Sequence, residues 1–462
     1  MRAESSNFDT PMKRTIIAFI CLVQSLFVIG QDETILNTDS LLADLEILTT
    51  TIRDNHPMMY IYTTRARFDN LALQTAMQIK TGVSAPVFYS SVSRLISSIG
   101  CGHTYAYPTP DLAERMKTIH DLPFEVKFVD SALYVSKAYL KEIEPYVGHA
   151  IVNINDVPIT RLVTVSLQHI SADGLSHAAK AYGFEQNFNF YLNLLLGGPG
   201  TLYFETTGGS FSVGFPTDFT KPERQEETTS FQQLPEVPGT VLLTLGDFDA
   251  GKQVIKKCFS YMQKQHIENL IIDLRDNEGG NGNIGANLLS YIIDSTLTYY
   301  LDKKVTPVRY KEFMTQQEGM IVSNQYVMAD SITRSYYFKV KPNKKCNFNG
   351  PVYVITDGGT FSTGAYVASV MKNVAGATMV GQETGGSEYA IGGGVIARLV
   401  LPYSKLNVRF PLYKWRFNVT DENSGSGVIP DLIVQPDPKT MFQRPDDARL
   451  RVIELIKKYP NS

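Results

Sequence analysis

The sequence has few of the residues that build disulfide scaffolds, metal sites or strongly charged surfaces. It contains four cysteines, seven histidines and one tryptophan in 462 residues, and its formal net charge at pH 7 is −3. A net charge this close to zero gives no reason to expect nucleic acid or an anionic membrane surface as a partner. The metal-binding patterns His-Glu-x-x-His and Cys-x-x-Cys and the acidic calcium loop are missing, so the sequence predicts no metal site.

Only one long apolar run occurs, and it lies near the N-terminus. The basic residues Lys13 and Arg14 precede an apolar stretch at 15–30, which is short for a membrane span. This pattern is typical of a signal peptide over residues 1–30, and it predicts an exported protein, periplasmic or extracellular, whose mature chain has no membrane span. A buried helix and a retained anchor are the alternatives. With Cys21 in this segment, three cysteines remain, and they permit at most one disulfide.

Changes in hydrophobic periodicity divide the rest of the chain. The hydrophobic content of 43% and the chain length predict two or three domains with sizeable cores. Helical spacing gives way to short β runs near residue 120, and beyond a polar, proline-containing stretch apolar strands alternate with helices. We therefore predict a helical cap at 31–115, a β domain at 120–217, a linker at 218–238, a layered α/β core at 239–440 and a C-terminal helix at 441–462.

The same patterns predict individual elements. In the α/β core, strands are expected at 240–245, 270–275, 351–356 and 378–381, and helices at 251–265, 284–293 and 364–374. In the β domain, two short strands are expected around an Asn-Asp turn within 148–159, then a helix at 160–171, then further β structure up to Phe215.

Ser362 is the first candidate for chemistry. It follows a predicted buried strand and the pair Gly358-Gly359, and it opens a predicted helix. A strand-to-helix turn of this kind exposes a hydroxyl, and the amides and dipole at the start of the helix favour a developing anion, as acyl transfer requires. Serine is also a common N-cap residue, so a helix cap without a catalytic role is the alternative.

A glycine-rich loop follows the strand predicted at 270–275. Residues 273–282, Asp-Leu-Arg-Asp-Asn-Glu-Gly-Gly-Asn-Gly, place free amides before a predicted helix, where they can bind an anion. The loop lacks the Gly-Lys-Ser/Thr ending of a phosphate loop and the dinucleotide glycine fingerprint. Gly279 or Gly280 is therefore a candidate oxyanion donor, and a tight turn that requires positive φ is the alternative.

A serine nucleophile needs a base and a group that orients the base. No lysine suited to a Ser–Lys dyad follows Ser362, because Lys372 lies in the predicted helix and Lys405 lies in a region that reads as strand. Among the histidines, His103 differs because it lies between glycine and threonine in a loop, and triads assemble from distant positions. Glu383 lies in a glycine-rich segment after a predicted strand and is the candidate carboxylate. The alternative is that Glu383 is an exposed loop residue without a catalytic role.

Together these segments resemble the C-terminal processing (tail-specific) peptidase family, including the tricorn core proteases. The resemblance covers about residues 237–435. It is carried by four motifs in the family's order: Asp-Leu-Arg-Asp-Asn-Glu-Gly-Gly at 273–280, Thr-Phe-Ser-Thr-Gly-Ala at 360–365, Val-Gly-Gln-Glu-Thr-Gly-Gly at 380–386 and Gly-Val-Ile-Pro-Asp-Leu at 427–432. Residues 148–155 also resemble a diverged PDZ domain without a clear carboxylate-binding loop, so a peptide-binding and a purely structural module both stay open.

The resemblance implies a serine peptidase with a crotonase- or ClpP-like ββα spiral core, a PDZ insertion and an N-terminal helical cap. Since His103 and Glu383 stand in for a suitable lysine, the chain is similar to the tricorn-like branch that uses a histidine base. That similarity implies a triad of Ser362, His103 and Glu383 and an acyl-enzyme on Ser362. It also implies oxyanion donors at the amides of Gly280 and Thr363, and no cofactor.

Two positions next to His103 depart from the family pattern. Gly102 stands where tricorn proteases carry a serine that links Glu to His, so Thr104 or a direct contact from Glu383 would replace that link. Cys101 stands where many relatives have Asp. The implied partner is a polypeptide substrate. A non-catalytic member of the same fold, which binds apolar ligands or peptides, is the alternative, and the substrate and oligomeric state do not follow from the sequence.

Overall fold

Helices occur from the first described segment of the chain to the last. A computed structural model describes residues 35–115, 121–196, 200–215, 218–222, 229–303, 309–317, 327–330, 335–417, 419, 425–437 and 446–459, and the predicted signal peptide lies outside them. The helices are α1 (Thr38–Asn55), α2 (Arg65–Ile79), α3 (Ala85–Ser97), α4 (Pro110–Arg115), α5 (Ile159–Ser166), α6 (His177–Gln186), α7 (Phe188–Leu196), α8 (Lys252–Lys264), α9 (Gly282–Ser290), α10 (Thr363–Asn373) and α11 (Asp447–Lys458). Short 3-10 helices lie at Glu144–Tyr146 and Lys311–Phe313.

The described strands form three sheets, so the fold is a mixed α/β fold. In chain order the strands are β1 (Tyr105–Tyr107), β2 (Phe124–Val129), β3 (Ala132–Ala138), β4 (Ala150–Ile154), β5 (Val157–Pro158), β6 (Gly200–Thr206), β7 (Gly209–Phe215), β8 (Ser230–Gln233), β9 (Thr240–Thr244), β10 (Asn269–Asp273), β11 (Leu297–Lys303), β12 (Met314–Gln317), β13 (Val327–Asp330), β14 (Ser335–Val340), β15 (Val352–Thr356), β16 (Thr378–Gly381), β17 (Ala390–Val400), β18 (Asn407–Arg416) and β19 (Leu432–Ile433).

The first sheet is the centre of the α/β core, with strand order β19-β16-β15-β10-β9-β8. Its strands are parallel except β8, which pairs antiparallel with β9. Side chains alternate between two cores: Leu270 and Ile272 pack with α8, α9 and α10, while Ile271 packs with α11. Burial on both faces explains the continuous apolar runs of these strands. The strands and helices predicted for this region are confirmed, with ends that differ by up to three residues.

The second sheet joins the core to the helical cap. Its order is β12-β17-β18-β11-β14-β13, and β1 pairs with the first part of β18. Leu399 and Phe410 point from this sheet into a core that also contains Leu48 of α1 and Phe88 of α3. The cap therefore packs on the sheet that carries β1, the strand that directly follows the loop of His103.

The third sheet, β2-β3-β4-β6-β7 with β5 on β4, is antiparallel. Asn155 and Asp156 have φ of 48° and 62°, which fits the predicted turn between two short strands. The β structure expected between 172 and 199 is wrong, because α6 and α7 occupy 177–196. Phe184, Phe188 and Leu192 recur at helical spacing and are buried against this sheet, so tertiary packing selects helix there.

One part of the predicted linker also needs correction. Residues 230–233 form β8, which extends the first sheet by pairing with β9. The polar side chains of β8 suit an edge strand, since an edge has one row of backbone groups that stays unpaired. The linker prediction therefore ends before residue 230, and the chain joins the α/β core at β8.

Candidate active site

The loops that follow β10 and β15 leave the first sheet at the same end, because these two strands are parallel neighbours. The loop after β10 carries the glycine-rich motif, and the loop after β15 leads to Ser362. Asn277 is fully buried between them: its Nδ2 donates to the carbonyl of Leu245 at 2.7 Å, and its own carbonyl accepts from the amide of Phe361 at 2.9 Å. Thr360 Oγ1 donates to the carbonyl of Leu274 at 2.7 Å. These bonds fix the two loops against each other.

Ser362 occupies a backbone conformation that L-residues rarely adopt. Its φ is 51° and its ψ is −120°, directly before α10 begins. Residues are held in such regions at a cost of about 1–3 kcal/mol, and they cluster at functional sites. The side chain makes no capping hydrogen bond to the helix. The alternative of an ordinary N-cap therefore does not describe this serine, whose hydroxyl is turned away from the helix amides.

The structure brings His103 to Ser362. The Nε2 atom of His103 lies 3.1 Å from the Oγ atom of Ser362, although the two residues are 259 positions apart. The imidazole stacks on Phe361 with ring centroids 4.6 Å apart. A Cβ atom on Gly102 would lie 2.6 Å from the Phe361 ring. The aromatic ring next to Ser362 thus occupies the space that a serine side chain at position 102 would need.

The electrostatic surroundings keep His103 neutral. Burial of the imidazole lowers its pKa to about 3, and the positive charge of Arg409 lowers it in the same direction. At neutral pH the ring is therefore uncharged and one of its nitrogens can accept a proton. The Nδ1 atom is buried and has no hydrogen-bond partner among the described residues.

The direct contact expected between Glu383 and the imidazole is not formed in this structure. The Oε1 atom of Glu383 instead accepts a hydrogen bond from the amide of Gly427 at 2.7 Å. Thr104 does not form the expected link either, because its Oγ1 lies 2.6 Å from the Nε2 atom of His56. Since Nδ1 of His56 accepts from the amide of Met58 at 3.1 Å, Nε2 carries the proton and donates it to Thr104. His56 is thus a buried structural histidine that holds the loop of His103.

A carboxylate that the sequence analysis did not single out lies beside that loop. Asp173 is fully buried, and its Oδ1 accepts from the amide of Gly102 at 2.7 Å. Burial raises the pKa of Asp173 to about 7, while backbone hydrogen bonds from Gly102 and Ser387 lower it. No local motif marks this residue, since its position depends on the packing of the third sheet's module against the core.

The segment that contains Asp173 runs alongside the loop of His103. Ser171 Oγ donates to the carbonyl of Thr104 at 2.5 Å, and the amide of Gly174 donates to the carbonyl of Gly100 at 2.9 Å. The amide of Leu175 donates to the carbonyl of Gly425 at 2.6 Å. Residues 171–176 therefore connect the helical cap to the loops of the α/β core that surround Ser362.

The glycine-rich loop packs directly against Ser362. Gly279 and Gly280 have φ of 108° and 118°, and a Cβ on Gly279 would lie 2.6 Å from the Cβ of Ser362. The amide of Gly279 donates to Asn277 Oδ1 at 2.9 Å. The amides of Gly280 and Thr363 make no hydrogen bond within the part of the chain that the structure describes.

Among the described residues, the site holds no group of side chains suited to a metal ion. In the described ranges, no cluster of three histidine, cysteine or acidic side chains has metal-binding geometry. Cys101, Cys258 and Cys346 are free thiols. None of the helices in the described ranges is both long and apolar enough to span a bilayer.

Comparison with known families identifies the class of this protein. The family model described as Peptidase family S41 matches residues 239–434, a range that contains all four motifs on which the resemblance rests. The chain is a serine-type peptidase whose α/β core resembles peptidase family S41. The resemblance to the C-terminal processing peptidases is confirmed at the level of the family.

The fold is shared beyond the matched range. The structure of mature CPAF complexed with lactacystin superposes with a TM-score of 0.63 and 12% identity, covering 91% of this chain and 98% of that one. A crystal structure of a CPAF mutant gives a TM-score of 0.64 at 12% identity, covering 92% and 98%. At this level of identity the likeness concerns the fold, and it extends over nearly the whole of both chains.

Proposed function

We propose that this protein hydrolyses peptide bonds in exported proteins or peptides through an acyl-enzyme on Ser362, with His103 as the base. The observation that carries this proposal is the 3.1 Å separation between His103 Nε2 and Ser362 Oγ at a serine with a rare backbone conformation. Nucleophile and base within hydrogen-bond reach are the minimum that covalent acyl transfer requires.

The first half-reaction begins with transfer of the hydroxyl proton. His103 is neutral, and with its proton on Nδ1 it accepts the Ser362 proton at Nε2 while Oγ bonds to the substrate carbonyl carbon. The tetrahedral intermediate collapses as the imidazolium gives that proton to the leaving amine, which breaks the C–N bond. A water molecule then gives its proton to His103 and attacks the ester, and the proton returns to Ser362 as the acid leaves.

The negative charge of each tetrahedral intermediate falls on the former carbonyl oxygen. We assign its donors to the amides of Gly280 and Thr363, which have no other acceptor among the described residues. Thr363 is the first residue of α10, so the helix dipole adds to the stabilisation. Removal of one such donor typically lowers kcat by a factor of about 10²–10³. The oxyanion donors therefore contribute as much to the rate as the general base does.

The role of Glu383 is assigned differently from the triad predicted for it. Its carboxylate holds the amide of Gly427, and the neighbouring Thr384 accepts from the amide of Val428 at 2.7 Å. We propose that Glu383 is a positioning residue, which holds the strip 425–428 against the loop that follows β16. The carbonyl of Gly425 in that strip accepts a hydrogen bond from the amide of Leu175. The strip therefore supports the segment beside the loop of His103.

The finer fold assignments and the cellular location belong to the same proposal. We propose that the α/β core is a crotonase- or ClpP-like ββα spiral, since its strands alternate with α8, α9 and α10. The third sheet with α5 is assigned as a diverged PDZ-like module. The basic residues and the apolar run within 12–30 support export through a signal peptide, with a periplasmic or extracellular location.

Labelling with a fluorescent fluorophosphonate tests the proposal. We expect the unmodified protein to be labelled and to cleave an unfolded casein substrate. Ser362→Ala should lose both properties, and His103→Gln should lose at least about 10² of the rate because the general base is removed. Ser260→Ala is the matched control, since the Ser260 hydroxyl is exposed and bonds only to its own helix at Lys256.

The outcomes separate the proposed activity from the alternative. If the folded protein takes up no label that depends on Ser362, hydrolysis by this serine is excluded. The remaining function would then be the alternative, in which a non-catalytic member of the fold binds apolar ligands or peptides. Equal labelling of the Ser362→Ala variant and the unmodified protein leads to the same conclusion.

A further inference from the structure

A row of aromatic and basic side chains crosses the second sheet directly beside His103. In β1, Tyr105 lies opposite Arg409 of β18, and Arg409 in turn lies opposite Arg398 of β17. Residues directly opposite each other on neighbouring strands project from the same face of a sheet. The flanking Ala106 and Val408 are buried in the core below the sheet. Tyr105 and the two arginines therefore lie on the opposite, outward face.

Neutral partners hold both guanidinium groups. Arg409 Nη1 donates to the hydroxyl of Tyr105 at 2.9 Å, and its guanidinium lies 5.1 Å from the centre of that ring. Arg398 Nε donates to Asn407 Oδ1 at 2.8 Å, and its guanidinium lies 5.6 Å from the Tyr107 ring. The two arginines are thus oriented by hydrogen bonds and aromatic faces, neither of which neutralises their charge.

The two positive charges have no acidic partner among the residues that the structure describes. Neither arginine forms an ion pair with a carboxylate there, whereas Arg416, farther along β18, pairs with Asp302. The Nε atom of Arg409 is also buried without a hydrogen-bond partner. Like charges directly opposite on neighbouring strands destabilise a sheet, and a buried donor without an acceptor adds a further cost. The fold itself gives no reason for this arrangement.

We propose that Arg409 and Arg398, with the hydroxyl of Tyr105, form a subsite that binds a carboxylate of the polypeptide substrate next to the scissile bond. A guanidinium presents several donors in a planar fork that matches the two oxygens of a carboxylate. The carboxylate belongs either to an acidic side chain or to the C-terminus of the substrate. This inference rests on the proposed function, since it places the subsite beside the reacting pair.

The position of Arg409 connects this subsite to the base. Tyr105 follows His103 by two residues, and the charge of Arg409 reaches the imidazole and lowers its pKa. A bound carboxylate would offset that charge and so raise the basicity of His103. A substrate with a carboxylate in this position would therefore gain in binding and in the proton-transfer step, while a neutral substrate would gain in neither.

Matched peptides test the subsite. We expect kcat/KM for a fluorogenic peptide with Glu near the scissile bond to exceed that for the Gln peptide at least about tenfold, as for one charge-assisted hydrogen bond. The residue is moved through successive positions, and a second series compares a free C-terminal carboxylate with an amide. The series that shows the preference identifies the source of the carboxylate. In Arg409→Gln and in Arg398→Gln the ratio should fall toward one.

Arg451→Gln is the control, because Arg451 is an exposed residue of α11 that pairs with Glu454 of its own helix. The proposal is overturned if the unmodified protein shows no preference in either series, or if the preference survives in both arginine variants. Arg398 is exposed, so Arg398→Gln gives an answer even if Arg409→Gln does not fold.

Binding to the Ser362→Ala protein separates this inference from the proposed function. Fluorescence anisotropy of the Glu and Gln peptides, or of the acid and amide peptides, requires no turnover. Tighter binding of the carboxylate peptide that is lost in Ser362→Ala/Arg409→Gln supports the subsite even if no hydrolysis occurs. Equal binding of both peptides to Ser362→Ala excludes the subsite even if the unmodified protein is an active peptidase.

Discussion

At Ser362, the backbone geometry and the hydrogen bonding both argue against a simple helix cap. The φ of 51° at Ser362 is a conformation that favours glycine, so a serine there is retained at a cost in stability. The hydroxyl makes no cap for α10 and lies instead within reach of His103. A serine that only capped the helix would show the opposite combination, an ordinary extended φ and a bond to an amide of the first turn.

Gly102 is expected to tolerate no side chain. In Gly102→Ser the new Cβ would lie 2.6 Å from the Phe361 ring, so the ring or the loop of His103 must shift. A displacement of about 1 Å in a catalytic group can cost about 10² in rate, and we expect a loss of this size in kcat.

The matched control for this substitution is Gly214→Ala, because a Cβ on Gly214 has no neighbour within 4 Å. Both variants are compared by urea unfolding and by peptide cleavage. Full activity in Gly102→Ser would show that the stacking of Phe361 on His103 does not position the base.

Asp173 should give the protein a distinctive dependence of stability on pH. Its folded pKa of about 7 lies above the unfolded value, so the folded state binds more protons across that interval. The free energy of unfolding therefore falls as pH rises from about 4 to about 7, by about 1.4 kcal/mol for each pH unit in which only the folded state is protonated. Asn resembles the protonated acid, so Asp173→Asn should be more stable than the unmodified protein at pH 8 and similar at pH 4.

Urea unfolding at the two pH values measures this difference. Asp156→Asn, in the exposed turn between β4 and β5, is the control and should change stability equally at both. An equal shift in Asp173→Asn at both pH values would contradict the raised pKa.

Among the elements, the loop between α3 and β1 decides where the base lies. Its end is fixed by the bond from His56, at the C-terminus of α1, to Thr104. Thr104→Val keeps the shape and removes the acceptor, which should cost about 1–3 kcal/mol of unfolding free energy. We also expect kcat to fall more than the fraction of folded protein, because the loop of His103 loses a restraint.

Thr164→Val is the control for this change. The Thr164 hydroxyl is exposed and bonds to the carbonyl of Thr160 in its own helix. Urea unfolding gives the unfolding free energy of both variants, and peptide cleavage gives their kcat. A Thr104→Val protein as stable as the unmodified one would show that the His56 bond does not hold the loop.

At the scale of the whole molecule, the module of the third sheet reaches the nucleophile turn through α6. A Cβ on Gly358 would overlap the carbonyl oxygen of Ala178 in α6, so the two backbones are in contact only because position 358 is glycine. Gly358→Ala should separate α6 from the turn that leads to Ser362. We expect kcat to fall about tenfold to hundredfold, as for other displacements of a reacting group.

Gly214→Ala, in β7 of the same module, is the control, because a Cβ there would have no neighbour within 4 Å. Hydrogen exchange of residues 357–363 in both variants shows whether the turn has loosened. Unchanged exchange and activity in Gly358→Ala would mean that α6 does not support the active site.

The sequence alone predicted the resemblance to the peptidase family, the elements of the α/β core and the identity of the nucleophile candidate. These follow from local information: apolar periodicity sets β10, β15 and α10, and a motif of consecutive residues marks Ser362. Local patterns failed where contacts select the structure, as for the helices at 177–196, whose apolar residues needed the third sheet to pack against.

Only the tertiary structure decided how the site is assembled. It placed His103 against Ser362, kept Glu383 on Gly427, and brought Asp173 and Arg409 to the loop of the base. These residues come from the helical cap, the core, the module of the third sheet and a strand of the second sheet. Sequence patterns record spacing along one element, whereas the position of one element against another depends on burial and hydrogen bonds between residues hundreds of positions apart.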